Sequence, residues 1–167
     1  MTPPDFPLSL PWIDRLVRFD TTSRLSNLGL VETVRDHLAT AGHSPRLFHN
    51  AEQTKANLFV TLPAHDGGTQ GGIVLSGHTD VVPVDGQDWT SDPFVPEVRD
   101  GRLYGRGVCD MKGFIGVALA MLPAFASRRL RVPLHLAFSY DEEVGCLGAD
   151  AMPVSYTHLR AHETRED

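Results

Sequence analysis

A histidine and an aspartate lie two positions apart where a short apolar run ends. His78 and Asp80 directly follow the predicted strand Ile73 to Ser76, and α/β sheets commonly expose functional groups at strand ends. A neutral imidazole is a good zinc ligand, and a nearby carboxylate often fixes its tautomer and its ring orientation. The same pair is also common as a surface hydrogen bond or a helix cap, so its meaning depends on the residues that follow.

A second acidic residue, Asp110, lies in a glycine-rich stretch before a long apolar segment. Capping of the following helix explains an aspartate there without any metal ion. Capping does not explain why four glycines crowd the same region, whereas close approach of the backbone to a metal centre would. The four are Gly105, Gly107, Gly113 and Gly116. Both interpretations of Asp110 stay open on this pattern alone.

Three consecutive acids, Asp141, Glu142 and Glu143, follow the predicted strand Pro133 to Ser139. A solvated acidic turn is the simplest interpretation. Three adjacent carboxylates at a buried strand end repel one another, however, and a bound cation would remove that repulsion and let them stay ionised. Adjacent glutamates can also divide the work, one binding a metal ion while the other exchanges protons.

Together the three clusters offer imidazole nitrogen and carboxylate oxygen, a ligand set that suits zinc. They lack the thiolates expected of a purely structural zinc site. The combined pattern therefore predicts a metal site that does chemistry. Cys109 and Cys146 are too few for a disulfide framework and too far apart in sequence for a zinc knuckle, so we expect reduced thiols.

The elements that must position these clusters alternate between helices and strands. Helical spacing of apolar residues predicts one helix from Leu10 to Phe19 and a second with Asn27 as its cap and Gly42 as its stop. A third segment, Lys112 to Ser127, is apolar nearly all round. That composition predicts a helix buried between layers.

Four short runs rich in apolar or β-branched residues are predicted strands. A loop with four glycines separates the second from the third and is predicted to close a flexible hairpin, because no phosphate-binding glycine pattern is present. The alternation predicts an α/β fold, a layered sheet flanked by helices. The predicted strands are Arg46 to His49, Asn57 to Leu62, Ile73 to Ser76 and Pro133 to Ser139, and the loop glycines are Gly67, Gly68, Gly71 and Gly72.

Length and composition narrow the classes of protein further. A chain of 167 residues, 41% hydrophobic and 22% charged, is long enough for one domain with a core. It has no apolar run long enough to cross a bilayer, and its net charge of −6 comes without a basic cluster, so neither a membrane nor nucleic acid is the expected partner. The N-terminal residues lack the pattern of a signal peptide, which makes the cytoplasm the expected location.

Longer motifs join the three clusters. In this order and spacing they resemble the M20-type family of metallo-amidohydrolases over roughly Leu10 to Asp150, and they look most like its acetylornithine deacetylase members. The resemblance implies a partial zinc-peptidase-like catalytic domain. The motifs are DWTSDPF (88–94), DGRLYGRG (100–107), GVCDMKGF (107–114) and SYDEEVGCLG (139–148).

The resemblance implies a role for each candidate residue. His78 would ligate one zinc ion, Asp110 would bridge two, and Glu143 would bind the second. Glu142 would be the general base, and Asp80 would orient His78. The expected cofactor is two Zn²⁺ per complete site, with Co²⁺ as an alternative.

The resemblance also implies an activity and a local backbone feature. The expected reaction is hydrolysis of N2-acetylornithine to ornithine and acetate, a step of arginine biosynthesis on a small N-acylated amino acid. Alternatives are a succinyl-diaminopimelate desuccinylase, another aminoacylase or carboxypeptidase of the family, or a non-catalytic metal- or protein-binding relic. A cis peptide bond is expected between Asp110 and Met111.

Two expectations concern how much of a protein this sequence represents. Residues 1–153 are predicted to be the N-terminal part of a catalytic domain, without further metal ligands and without the domain through which the full-length protein would form a homodimer. We therefore expect weak metal binding and negligible activity from this polypeptide. Residues 154–167 begin with eleven that match one translated frame of a common transposon sequencing adapter, so we expect an artefact and give His158, His162 and Glu163 no function.

Overall fold

The computed structural model describes residues 8–150 and residue 152, and the predicted adapter-derived tail lies outside these residues. Helices and strands alternate along the chain as the sequence predicts. In order they are α1 (Leu10–Val17), α2 (Leu28–Thr40), β1 (Arg46–His49), β2 (Ala56–Leu62), β3 (Ile73–His78), β4 (Glu97–Arg99), β5 (Arg102–Tyr104), α3 (Lys112–Ala120), α4 (Leu122–Ala126), β6 (Leu134–Ser139) and α5 (Leu147–Asp150).

Four strands form the main sheet in the order β1-β2-β6-β3. The β1–β2 and β2–β6 pairs are antiparallel, whereas β3 and β6 run parallel. Every residue of β6 from Leu134 to Phe138 is buried, but Ile73 at the start of β3 is exposed. The strand with the most complete burial therefore takes an interior position and β3 takes an edge.

One apolar core joins the helices to the sheet. Alternate residues of β2 and β6 point into it, as the two-residue period of a strand requires. Side chains from α1 to α4 fill the space above that face. The predicted α/β fold, a layered sheet flanked by helices, is confirmed. Buried members of this core include Leu16, Leu30, Val34, Leu38, Leu58, Val60, Ile115, Leu119, Leu136 and Phe138.

Most predicted elements are found within two residues of their expected ends, but the predicted hairpin is wrong. The glycine loop joins β2 to β3, and β6 lies between those two strands in the sheet. The predicted helix Lys112 to Ser127 is divided at Met121 into α3 and α4, with a proline in the first turn of α4. The short β4–β5 pair was not among the predicted strands.

Two predicted helix features have a different origin in the structure. Asn27 precedes α2 but makes no side-chain capping bond. Its amide instead donates to the Ala56 carbonyl and the Thr79 hydroxyl, and its oxygen accepts from the Ala56 N–H.

Val117 of α3 is 46% exposed, so α3 is not buried all round. Among the described helices, none combines the length and the apolar character that a membrane span requires.

Helices α1 and α3 approach each other closely at a glycine. A Cβ atom added to Gly116 would lie 2.6 Å from Ile13 Cγ1 and 2.9 Å from the Ile13 backbone nitrogen. The second contact is to backbone, so a side-chain rotation cannot relieve it. Any larger residue at position 116 must move α1 away from α3.

We expect Gly116→Ala to lower the free energy of unfolding by about 1–3 kcal/mol, because an overpacked contact forces the two backbones apart. Urea denaturation followed by circular dichroism measures the change. Val117→Ala, one position away on the exposed face, is the control and is expected to change it by less than about 0.5 kcal/mol. Equal stability of Gly116→Ala and the unchanged chain would contradict the close approach.

Candidate metal centre

Two of the three predicted clusters meet because their strands are parallel neighbours. His78, the last residue of β3, pairs with Ser139, the last residue of β6. The loops that follow the two strands therefore leave the sheet at the same edge. This register places Asp80 beside the backbone of Glu142 and Glu143, which follow β6.

The His78 ring is buried and held from both nitrogens. Its Nδ1–H donates to the Asp80 backbone carbonyl at 2.9 Å. Its Nε2 lies 3.0 Å from Asp110 Oδ1 and 3.7 Å from Glu142 Oε2. A carbonyl oxygen can only accept, so Nδ1 carries hydrogen and Nε2 is the atom that faces the carboxylates.

The carboxylate of Asp80 is 2% exposed and joins three segments of the chain. It accepts hydrogen bonds from the Ser23 hydroxyl at 2.7 Å and from the backbone N–H groups of Glu142 and Glu143 at 3.0 and 3.2 Å. Burial raises the pKa of Asp80, but the neighbouring His78 ring and the hydrogen bonds from Ser23 and these amides outweigh burial and lower it. Asp80 is thus a buried anion.

Asp80 contacts His78 more closely through its backbone carbonyl than through its carboxylate, which differs from the predicted arrangement. The shorter contact to Nδ1 comes from the Asp80 backbone carbonyl at 2.9 Å, and the nearest carboxylate oxygen is 3.5 Å away. The carboxylate mainly binds the double-glutamate turn. Asp80 therefore fixes both the imidazole and the glutamates, through different atoms.

Three of the candidate side chains come together. Ligand atoms of His78, Glu142 and Glu143 all lie within 4.8 Å of one another. Asp110 reaches this group through its contact with His78.

Met111, not Asp110, is the residue before α3, and it makes no side-chain capping bond, so the capping interpretation of Asp110 is wrong. The predicted cis peptide bond between Asp110 and Met111 is confirmed.

The group is electrostatically unbalanced without a cation. Burial lowers the pKa of His78, but hydrogen bonds to Asp80 and Asp110 outweigh it and raise the pKa to about 9. Burial and the neighbouring charge of Asp110 raise the pKa of Glu143. These shifts favour a positive charge on the imidazole nitrogen that faces the carboxylates, and a metal cation there would meet the same charges.

These observations fit a zinc ion. The tautomer set by the Asp80 carbonyl leaves Nε2 as the nitrogen that can ligate once its proton is lost. Carboxylate oxygens of Glu143, Glu142 and Asp110 are within reach of the same region. Imidazole with carboxylates is a donor set that zinc accepts in catalytic sites.

One acid of the sequence cluster, Asp141, points away from His78. Asp141 has a left-handed backbone, with φ of 53°, and its carboxylate pairs with Lys55. The expected repulsion among three adjacent carboxylates is therefore relieved for one of them by a lysine. Of these three acids, Glu142 and Glu143 remain near His78.

The crowded glycines also have a different explanation from the predicted one. A Cβ atom at Gly113 would lie 2.0 Å from the Val108 carbonyl oxygen, and one at Gly107 would lie 2.8 Å from Val81. The close approaches that these glycines permit are to protein atoms. Gly77 likewise lets the start of α3 pack against β3, and this contact brings Asp110 towards His78.

Sequence reasoning missed several residues that support the centre. Ser23 donates to Asp80, Lys55 pairs with Asp141, and the fully buried Lys112 donates to the Phe19 carbonyl at 2.7 Å. Burial lowers the pKa of Lys112 to about 7. The sequence could have pointed to Lys112, because it lies at the start of an apolar helix and lysine is almost never fully buried unless it is paired.

The sequence profile of Peptidase family M20/M25/M40 matches residues 74–163, more than half of the chain. The chain belongs to this family. It is 37% identical over 131 residues to an acetylornithine deacetylase of Proteus mirabilis and 39% identical over 140 residues to one of Myxococcus xanthus. These alignments cover 78% and 82% of the chain but only 33% and 36% of the relatives, so the chain spans about a third of their length.

A solved structure agrees with the fold. Human carnosine dipeptidase 1 superposes with a TM-score of 0.70 at 22% identity, over 84% of this chain and 33% of that protein. The likeness is one of architecture. The sequence relatives and the family profile, rather than the superposition, connect the chain to hydrolases.

We expect Asp80→Ala to lower the free energy of unfolding by about 3 kcal/mol, because it leaves the buried Ser23 hydroxyl and two partly buried backbone amides without an acceptor. Urea denaturation measures the change. Asp85→Ala is the matched control, since it breaks an exposed pair with Arg24 and is expected to have no measurable effect. A small effect at both positions would show that the Asp80 hydrogen bonds do not hold the turn.

Proposed function

We propose that this chain carries part of the catalytic centre of a zinc-dependent amidohydrolase that cleaves the acetamide of N2-acetylornithine. The observation that supports it most is the convergence of His78, Glu142 and Glu143 at the ends of two paired strands. Membership of the M20/M25/M40 family supports the reaction class, and the acetylornithine deacetylase relatives support the choice of substrate in this proposal.

Each of the four side chains of the centre, those of His78, Asp110, Glu142 and Glu143, has a proposed role. His78 and Glu143 would hold zinc as ligands, and Asp110 would be the carboxylate shared by two zinc ions. Zinc bound by these residues supplies a Lewis acid for the amide carbonyl and lowers the pKa of a water molecule.

Glu142 is the proposed general base. Its side chain is 44% exposed, so water and substrate can reach it, and one of its oxygens lies 3.7 Å from His78 Nε2. Glu142 takes a proton from the attacking water and returns it to the departing amine of ornithine. Its backbone N–H is held by Asp80, which therefore positions both the base and the histidine.

The number of ligands limits what the chain does alone. A catalytic zinc ion commonly has three protein ligands and one open position, whereas the proposed set provides two for each of two ions. We propose that further ligands come from a segment that follows in a longer protein. The 167-residue chain would then bind zinc weakly and turn over little substrate. Zinc as native metal, arginine biosynthesis and a homodimer stay predictions of the family resemblance, and the cytoplasm stays a prediction from the N-terminal residues.

We expect His78→Ala to weaken zinc binding by more than the roughly 10- to 100-fold that loss of an outer-shell partner costs, because it removes a ligand itself. Isothermal titration of the metal-free chain with zinc measures the affinity. His49→Ala is the control, since His49 is exposed on β1 at the opposite edge of the sheet. Equal zinc affinity for His78→Ala and the unchanged chain would refute the ligand role.

In the longer protein, we expect Glu142→Gln to lower kcat for N2-acetylornithine by about 10²- to 10⁴-fold with the zinc content unchanged, because it removes the proton acceptor. Glu32→Gln, on the exposed side of α2, is the control. Near-normal turnover by Glu142→Gln would end the general-base assignment, and loss of zinc would make Glu142 a ligand instead.

The same assay separates the candidate substrates. N2-acetylornithine, succinyl-diaminopimelate and N-acylated dipeptides are compared by kcat/KM in the unchanged longer protein. A preference for the acetylated ornithine is the expected result. Turnover of none of them in a zinc-loaded protein would favour a non-catalytic relic.

A further inference from the structure

Lys55 lies just before β2 and touches no proposed metal ligand, yet its ammonium group is fully used. It donates to the Ser23 backbone carbonyl and to both oxygens of the Asp141 carboxylate, at 2.6 Å to Oδ2. Both side chains of the ion pair are largely buried, at 14% and 11% exposure. Three N–H donors therefore meet three acceptors in a site with little water.

Both partners of Lys55 lead to the carboxylate of Asp80. Ser23 accepts from Lys55 with its carbonyl and donates to Asp80 with its hydroxyl. Asp141 directly precedes Glu142 and Glu143, whose N–H groups also donate to Asp80. The contacts close a ring that runs from the lysine through the serine to the aspartate and back through the double-glutamate turn.

The turn itself has a reason to need such support. Asp141 has a φ of 53°, a left-handed backbone conformation that residues with a Cβ atom adopt less readily than glycine. The unusual backbone directs the Asp141 side chain to Lys55 while the next two residues face His78. Without Lys55, a buried carboxylate would lose its only ion pair among the described contacts, next to two other acids.

We propose that Lys55 is a positioning residue of the metal centre, which sets the direction of Glu142 and Glu143 through Asp141 and Ser23. The inference rests on the proposed function for its consequence, that metal affinity depends on a lysine outside the ligand set. A lysine that served stability alone would act equally on every part of the fold. A positioning lysine acts most on the double-glutamate turn.

Amide hydrogen exchange in the metal-free 167-residue chain separates these two roles. We expect Lys55→Met to raise the exchange rates of the Glu142 and Glu143 amides about tenfold more than that of Leu136 in the centre of β6, the equivalent of about one hydrogen bond. We expect Lys55→Arg, which keeps the charge, to restore much of the protection. Arg18→Met, which breaks an exposed pair with Asp14, is the matched control and should leave all three amides unchanged.

Zinc affinity is the second measurement, made by competition with a chromophoric chelator. Lys55→Met is expected to weaken zinc binding about 10- to 100-fold, as loss of an outer-shell partner does. If this variant does not fold, the double variant Lys55→Met with Asp141→Asn removes the unpaired charge, and the same comparison is made in it.

Exchange that rises by one common factor at Glu142, Glu143 and Leu136, with zinc affinity unchanged, would overturn the proposal and leave Lys55 a stabilising residue. Absence of zinc binding by the longer protein would instead contradict the proposed function. In that case the exchange comparison still decides the role of Lys55, so the two failures are distinguishable.

Discussion

The hydrogen bonds to the buried carboxylate of Asp80 hold the centre together. An ionised carboxylate loses its hydration when it is 2% exposed, and only several good donors offset that cost. Here the donors come from Ser23 near the N-terminus and from the amides of Glu142 and Glu143 at the other end of the described chain. One anion thus determines where three distant segments meet, and its own backbone carbonyl sets the tautomer of His78.

This arrangement also explains the opposite electrostatic behaviour of neighbouring groups. Hydrogen-bond donors lower the pKa of Asp80, whereas burial and the neighbouring charge of Asp110 raise the pKa of Glu143. Burial lowers the pKa of His78, but hydrogen bonds to Asp80 and Asp110 outweigh burial and raise it to about 9. A pocket that stabilises a positive charge on one imidazole nitrogen is prepared for a metal cation at the same place. Asp141 adds no carboxylate to this pocket, because it pairs with Lys55 instead.

Much of this could be read from local sequence. The strand that ends before Asp80, the helix that begins after Asp110 and the acids that follow β6 all depend on short-range patterns of apolar, glycine and acidic residues. These patterns predicted the elements to within a few residues and predicted His78 and the glutamates as candidates. They failed where a contact joins distant residues, as in the wrong hairpin between β2 and β3 and in the side-chain partners of Asn27.

The sequence by itself determined the alternating elements and the types of side chain at the strand ends, because those follow from periodicity and residue chemistry. Only the tertiary structure decided that β6 enters between β2 and β3, that Asp80 binds the turn after β6, and that Lys55 withdraws Asp141 from the acidic cluster. The physical reason is that strand order and buried ion pairs depend on which surfaces exclude water together. That choice is made among residues separated by tens of positions, and no local pattern records it.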